Sequence, residues 1–325
     1  MCASASTSHE NVVKASMPLL RRQQGVAIVL ALLLMVLAVT LTASLFLPQH
    51  VWLRETENLA AAVRARALHR AVLDAERQIL RLDAMTHGPV TIAGGTWSRP
   101  ADTGPMTAPL PAAQAAGRIL IRVSDAQGRF NLTNLATHGQ PDAAQTEIFR
   151  QLLQAAGLDT TLAERAASAI AGTQAASGMA WQGPMAYQRL DDLRAIDGFD
   201  DRVLAALRQR VVVLPERTAI NVNTASRDVL AAALTPALAA TLADGRDRAY
   251  LRDHADIAGR LPDAAPAGLA ALDVKSAYFL VELHIAIGRM ALDSETLVRR
   301  RWDSRIRDGD DDRLLPTRIV WTRAL

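Results

Sequence analysis

Cysteine occurs once in 325 residues, as Cys2, so no intrachain disulfide can form and no thiolate metal centre can be built. Phe, Trp and Tyr together make up 4% of the chain, too few to line the deep apolar cavity that usually holds an organic cofactor. None of the seven histidines has a second at helical spacing. His254, beside Asp253 and Asp256, has no nucleophile nearby and reads as part of a surface loop. Gly94 and Gly95 lie in a Pro/Gly-rich stretch without the spacing that cradles phosphate. These absences argue against an enzyme, and neither a metal nor a cofactor is expected. Stability must come from packing. Half of the residues are hydrophobic, and the length suffices for one large or two small domains.

Excess charge is missing as well. The net charge of +3 arises largely in residues 1–25, which carry Lys14, Arg21, Arg22 and Glu10. Without these three basic and one acidic side chains, 33 basic and 32 acidic ones remain. Nothing in the overall charge points to nucleic acid.

Residues 26–47 are 22 consecutive residues without a charge, nearly all of them apolar. As a helix this stretch spans roughly 33 Å, the thickness of a bilayer core. Basic residues precede it and acidic ones follow it, which places the N-terminus in the cytoplasm and the bulk in the periplasm or outside the cell. A secretory signal has a shorter apolar core and a small-x-small cleavage site, whereas Ala43-Ser44 sits inside hydrophobic sequence. A plain anchor usually gives way to a linker. Here Ala61, Ala65, Leu68, Val72, Ala75, Ile79 and Leu82 continue at spacings of four and three, the apolar stripe of an amphipathic helix. One helix is therefore expected from Val26 to about Leu82, bent at Pro48, whose ring clashes with the preceding turn.

A basic leader ending in Gly25, an apolar helix directly after it and an amphipathic extension resemble the N-terminus of type IV pilins and type II secretion pseudopilins. In those families a membrane-embedded prepilin peptidase cuts after the glycine and methylates the new first residue. The resemblance implies a cut between Gly25 and Val26, with Arg21 and Arg22 as leader basic residues. "MPLLRRQQG", from Met17, has the more usual leader length. Most members carry glutamate at the fifth mature position, where it neutralises the terminal ammonium of a neighbouring subunit. This chain has Leu30 there, which resembles the K minor pseudopilin, assigned to the filament tip.

Four further stretches are similar to the K family. "RILIRVSDAQGRFNLTNL" (118–135) reads as strand, turn and strand. Phe130, Asn131, Leu132 and Asn134 match the family's aromatic-Asn-Leu-x-Asn segment, with Thr133 replacing its middle asparagine. "AINVNTAS" (219–226) resembles a second signature, "LDDLRAIDGFDDRVLAAL" (190–207) a helix-turn-helix, and "SAYFLVELHIAIG" (276–288) the strand opening the C-terminal sheet. Between them, Asp142 reads as a helix cap, Thr161 with Glu164 as a capping box, Asp200 as a third cap, and Ser226 or Thr224 as a fourth. Strands are expected over Tyr278 to Ile287, Thr296 to Trp302 and Thr317 to Trp321.

The expected fold class is α+β: a pilin-like long N-terminal helix packed on a small antiparallel sheet, with a large inserted all-helical, SAM-like domain. The expected divisions are a leader at 1–25, membrane and amphipathic halves of the helix at 26–47 and 48–85, and a loop with first strands at 86–135. The insertion follows at 136–275, in halves of about 136–216 and 217–275, and C-terminal strands occupy 276–325. The resemblance implies a structural tip subunit that primes and caps the pseudopilus in the inner membrane. Its implied partners are the minor pseudopilins I and J, the major pseudopilin, prepilin peptidase and the inner-membrane assembly platform. Ala65, Leu68 and Val72 are the expected contacts with neighbouring helices.

The K family also has calcium sites on an acidic loop. The corresponding stretch, 171–187, holds no Asp or Glu, so that site is expected to be lost or weakened. The acidic run at 307–313 lacks the ligand spacing of a calcium loop and reads as a solvated turn. The rival reading is a membrane-anchored helix-hairpin-helix protein for DNA binding or uptake. Such a turn is Gly-hydrophobic-Gly, with amides reaching a phosphate. Here it is Gly198-Phe199-Asp200, and the aspartate disfavours that contact.

Overall fold

The computed structural model describes residues 24–102, 117–174, 184–301 and 317–325. The leader arginines Arg21 and Arg22, most of the stretch corresponding to the family's calcium loop (171–187) and the acidic run at 307–313 lie outside the described residues. The chain divides into two units, residues 1–60 and 61–325.

The first unit contains the start of helix α1 (Gln24–His87). Its apolar stretch, Gly25–Ser44, has a mean hydropathy of 2.9 and buries none of its length within the protein. The hydroxyls of Thr40, Thr42 and Ser44 donate to carbonyls three or four residues back, so no side-chain donor is left unpaired on a surface suited to lipid. The helix assignment continues through Pro48 and on to His87. The proline does not end the helix, which runs five residues past the expected Leu82.

In the second unit α1 packs on a five-stranded antiparallel sheet whose strands, in spatial order, are residues 101–102, 117–125, 278–287, 290–299 and 318–324. The first two strands are β1 (Ala101–Asp102) and β2 (Gly117–Asp125). A 3-10 turn over Ala126–Gly128 follows. The next segment, β3 (Phe130–Asn131), leaves the sheet and pairs in parallel with β6 (Val211–Val212), correcting the expectation that it extends the sheet. Between them come the small ladder β4 (Ala136–Thr137) and β5 (Gln140–Pro141), then helices α2 (Ala143–Ala155), α3 (Leu162–Gln174) and α4 (Asp201–Leu207). The second half begins with β7 (Ile220–Asn221), parallel to β8 (Leu272–Asp273). Between these lie α5 (Arg227–Ala233), α6 (Pro236–Arg248), α7 (His254–Arg260) and α8 (Pro266–Ala270). The chain re-enters the sheet as β9 (Tyr278–Ile287), β10 (Met290–Arg299) and β11 (Arg318–Ala324). The strand expected from Thr296 thus begins six residues earlier, at Met290. The last strand continues past Trp321 to Ala324.

The caps explain where most helices begin. The Asp142 carboxylate accepts from Gln145 N at 3.2 Å, and Asp200 accepts from Val203 N at 2.8 Å. Ser226 caps α5 through Val229 N at 3.4 Å. The expected capping box at Thr161 and Glu164 does not form. Instead the Thr161 amide and hydroxyl both donate to Asp159, at 2.9 and 2.8 Å. His254 is an exposed first residue of α7 and not part of a loop, because Asp253 accepts from Asp256 N at 2.8 Å and starts that helix.

One core fills the helical domain, with Phe130 and Phe149 stacked at 6.0 Å and Leu132, Leu152, Leu193, Leu230 and Leu242 fully buried. A separate core lies between α1 and the sheet, where Leu73 and Leu80 meet Val123, Phe279, Val281 and Val298. Full burial of one such side chain contributes about 1.5–3 kcal/mol, so these layers carry the fold without covalent staples.

Candidate assembly interface

The helical domain leaves the sheet after Asp125 and returns before Tyr278, and the two crossings meet at one carboxylate. Asp125 Oδ2 accepts from Asn221 Nδ2 at 2.8 Å, Thr224 Oγ1 at 2.6 Å and Ser276 Oγ at 2.6 Å. Its Oδ1 accepts from Gln127 N at 2.8 Å. Burial pushes the Asp125 carboxyl up, and these four bonds pull against that shift. Thr224, one of the two candidate helix caps, is used here instead. Gly128 is part of the same junction: a Cβ on it would stand 3.0 Å from Thr224 Oγ1 and 3.2 Å from Thr224 backbone.

The asparagines of the family-like motifs take the place of peptide groups. Asn131 donates to Glu216 O at 2.8 Å and accepts from Leu214 N at 3.1 Å. Asn134 pairs with both backbone groups of Thr218, at 2.7 and 3.0 Å. Asn223 does the same with Leu251, at 2.9 Å each way. Thr133, where the family has asparagine, donates its hydroxyl to Leu214 O at 2.6 Å. These residues hold strands and loops together.

The end of α1 is fixed by a buried ion pair. Arg300 meets Asp83 at 2.9 Å, with both side chains almost wholly buried. It also donates to Thr91 Oγ1 at 2.6 Å and lies over the Phe279 ring at 4.6 Å. The Asn221 side chain donates to Thr91 O at 3.0 Å. A lattice of bonds therefore runs from α1 through Thr91 and Asn221 to Asp125. Sequence pattern gave no signal for the pairing of Asp83 with Arg300 or for the bonds from Asn221, Thr224 and Ser276 to Asp125, because those partners lie far along the chain.

The expected contact residues on α1 face inward. Ala65 is fully buried against Ile119, Ile285 and Ile287, with Leu68 and Val72 half-buried on the same cluster. Their small and apolar side chains serve the chain's own sheet, which covers Ala65 fully and Leu68 and Val72 in part. The opposite face carries exposed Val63, Leu82 and Met85, joined by exposed Ala67, Ala71 and Gln78. At 3.6 residues per turn these six fall on one side of the helix. In the apolar first stretch, Val26 and Leu30 are exposed, and a Cβ on Gly25 would meet nothing within 4 Å.

The turn at Gly198 is closed to phosphate. Gly198 has φ of +91°, Phe199 is buried, and the Asp200 carboxylate occupies the amides at the start of α4. Arg165 lies 3.7 Å from Asp197, and Arg194 pairs with Asp201 at 2.5 Å, so these two cations already face carboxylates. Among the described residues, no group of three or more His, Cys, Asp or Glu side chains converges for a metal. A cavity of about 610 Å³ lies where Ile170, Tyr187 and Val213 face Val320 and Trp321 of β11.

These features define a fold class: a long helix on an antiparallel sheet, with a helical domain inserted between β2 and β9. Comparison with known proteins narrows the class. The family described as type II secretion system (T2SS), protein K matches residues 128–216, the first half of that insertion. Type II secretion system protein K of Pseudomonas aeruginosa is 25% identical over 316 residues, covering 88% of this chain and 92% of the relative. The protein of the same name from Pectobacterium carotovorum subsp. carotovorum is 25% identical over 301 residues, with 82% and 89% covered. A chain of the crystal structure of the GspK-GspI-GspJ complex from the enterotoxigenic Escherichia coli Type 2 Secretion System superposes with a TM-score of 0.61. It is 20% identical, with 83% of this chain and 99% of that chain covered. The protein is thus similar to the K component of type II secretion along most of its length, in sequence and in fold. None of these findings supports the DNA-binding alternative.

Proposed function

We propose that the chain is a structural, non-enzymatic minor pseudopilin of a type II secretion system. It sits at the tip of the pseudopilus and primes and caps it together with I and J components. The observation that carries this reading is the helical domain inserted between β2 and β9, within which the protein K family matches. A sheet interrupted in that way offers a bulky end cap on a rod. The apolar stretch Gly25–Ser44 supports a single-pass anchor, with the N-terminus in the cytoplasm and the bulk in the periplasm. Cleavage between Gly25 and Val26 by prepilin peptidase, with methylation of the new terminus, belongs to the same reading, as do contacts with the major pseudopilin and the assembly platform. The absence of a carboxylate at Leu30 suits a subunit with none packed ahead of it. The calcium site of the K family is lost or weakened in the same reading.

The test is co-purification. The full chain in detergent, expressed with the I and J components of the same secretion system, is expected to elute as a stoichiometric complex. Separate elution of all three, or steeply salt-sensitive retention of DNA in their place, would refute the proposal.

A further inference from the structure

From Ala61 to Leu73 helix α1 carries three arginines, Arg64, Arg66 and Arg70, and no Asp or Glu. All three are exposed, and none of their guanidinium groups pairs with a carboxylate among the described residues. The next arginine, Arg77, is held: it reaches Asp74 at 2.8 Å and donates to Thr317 O at 2.7 Å. The uncompensated charge acts on its surroundings, because burial and then the charge of Arg70 push the His69 imidazole down. About the helix axis these arginines border the exposed apolar face of α1. At 3.6 residues per turn Arg64 falls on one side of the row formed by Val63, Ala67 and Ala71, and Arg66 and Arg70 fall on the other. Asp74, the exposed acid of that face, is taken by Arg77.

An apolar row with unpaired cations on both sides is half of a helix seam, in which the charges beside the seam choose the partner. A second copy of this chain would set arginine against arginine, and like charges across an interface are costly. An anionic bilayer is disfavoured by Glu55 and Glu57, which stand along the chain between the arginines and the apolar stretch Gly25–Ser44. A helix with carboxylates on both sides of its own apolar row meets both features of the face. Alanine at the row lets the two helices approach closely, and the guanidinium forks pair with carboxylates.

We propose that this face docks an amphipathic helix of another pseudopilin subunit, one whose apolar row is bordered by carboxylates, and that Arg64, Arg66 and Arg70 select it. The proposal rests on the reading that the chain assembles with I and J components. Its test measures the dissociation constant of the full chain in detergent for the I and J components of the same secretion system, at low and at high salt. The parent complex is expected to weaken as salt rises. Arg64→Gln with Arg66→Gln and Arg70→Gln is expected to bind about tenfold more weakly at low salt, as three exposed pairs of ordinary strength give, and to lose most of the salt dependence. Arg→Lys at the same three positions is expected to keep most of the affinity, and Arg→Glu to abolish binding. All four chains are expected to unfold within about 2 °C of one another, because the positions are exposed. Equal affinity and equal salt dependence in the parent and the glutamine variant would place the arginines outside the interface and overturn the proposal, with the assembly reading intact. A difference that arises only when phosphatidylglycerol is added to the micelles would assign them to lipid and overturn it as well. A parent chain that forms no complex would overturn the assembly reading and the proposal together.

Discussion

Single side chains with two hydrogen-bonding ends do most of the joining in this protein. Asn131, Asn134 and Asn223 each bond as a peptide group would, and Asp125 gathers donors from segments about 100 and 150 residues away. Asp125→Asn tests this arrangement. Oδ2 accepts three donors, and Oδ1 accepts the Gln127 amide. An asparagine therefore turns its NH₂ toward a donor in either orientation. Leaving buried donors unsatisfied costs about 1–3 kcal/mol, and about 2–4 °C of unfolding temperature per kcal/mol is typical for a unit of this size. The variant is expected to unfold several degrees below the parent by circular dichroism, whereas Asp159→Asn, on an exposed carboxylate, is expected to shift little. Equal shifts would contradict the central role of Asp125. The sequence revealed the asparagine motifs but not their meaning, since a residue's partner across 80 or more positions leaves no periodic trace. Asp125 read as a turn residue, which it is, and its second role appears only when Asn221, Thr224 and Ser276 come together.

Helix α1 shows how far periodicity reaches. The apolar positions Ala65, Leu68 and Val72 mark the sheet-facing side correctly, and then the pattern drifts. Beyond Val72 the buried positions are Leu73, Glu76, Leu80, Asp83 and Ala84, while Ala75 and Leu82 are exposed. Two acids on the buried face pulled the apolar stripe away from the packed one. Asp83 is tolerated there because Arg300 neutralises it. Burial pushes the Glu76 carboxyl up. The same drift left Leu82 and Met85 outside, with Val63, and these form the face available to another helix. Leu82→Asp with Met85→Asp is expected to abolish co-purification with the I and J components while shifting unfolding temperature by less than about 2 °C, as exposed substitutions usually do. Ala65→Leu, which overfills the space beside Ile119 and Ile285, is expected to lower stability by about 1–3 kcal/mol. Retained binding in the double variant would move the interface to another face.

At the scale of the whole chain, the layout of apolar rod, sheet and inserted helices was legible because each has its own hydrophobic period. The point where β3 departs from the sheet was not, since two residues carry no period and parallel pairing with Val211–Val212 has no local signal. The first residues of the rod permit a test that separates processing from folding. A glycine is often fixed by close packing or by positive φ. Neither applies at Gly25, which lies in the helix with open space where a Cβ would stand. Gly25→Leu is therefore expected to leave the fold intact, and leucine favours the helix over glycine by somewhat under 1 kcal/mol. Any loss then reflects recognition by an outside agent. Mass spectrometry of the parent chain from its native membrane is expected to find a terminus at Val26, and the variant is expected to keep its leader, remain in the membrane fraction and fail to support secretion. A parent terminus near Leu45, or a Gly25→Leu chain trimmed at the same bond, would show that the glycine is not the processing determinant. The rod would then be an anchor or a discarded signal, whatever the fold that follows it.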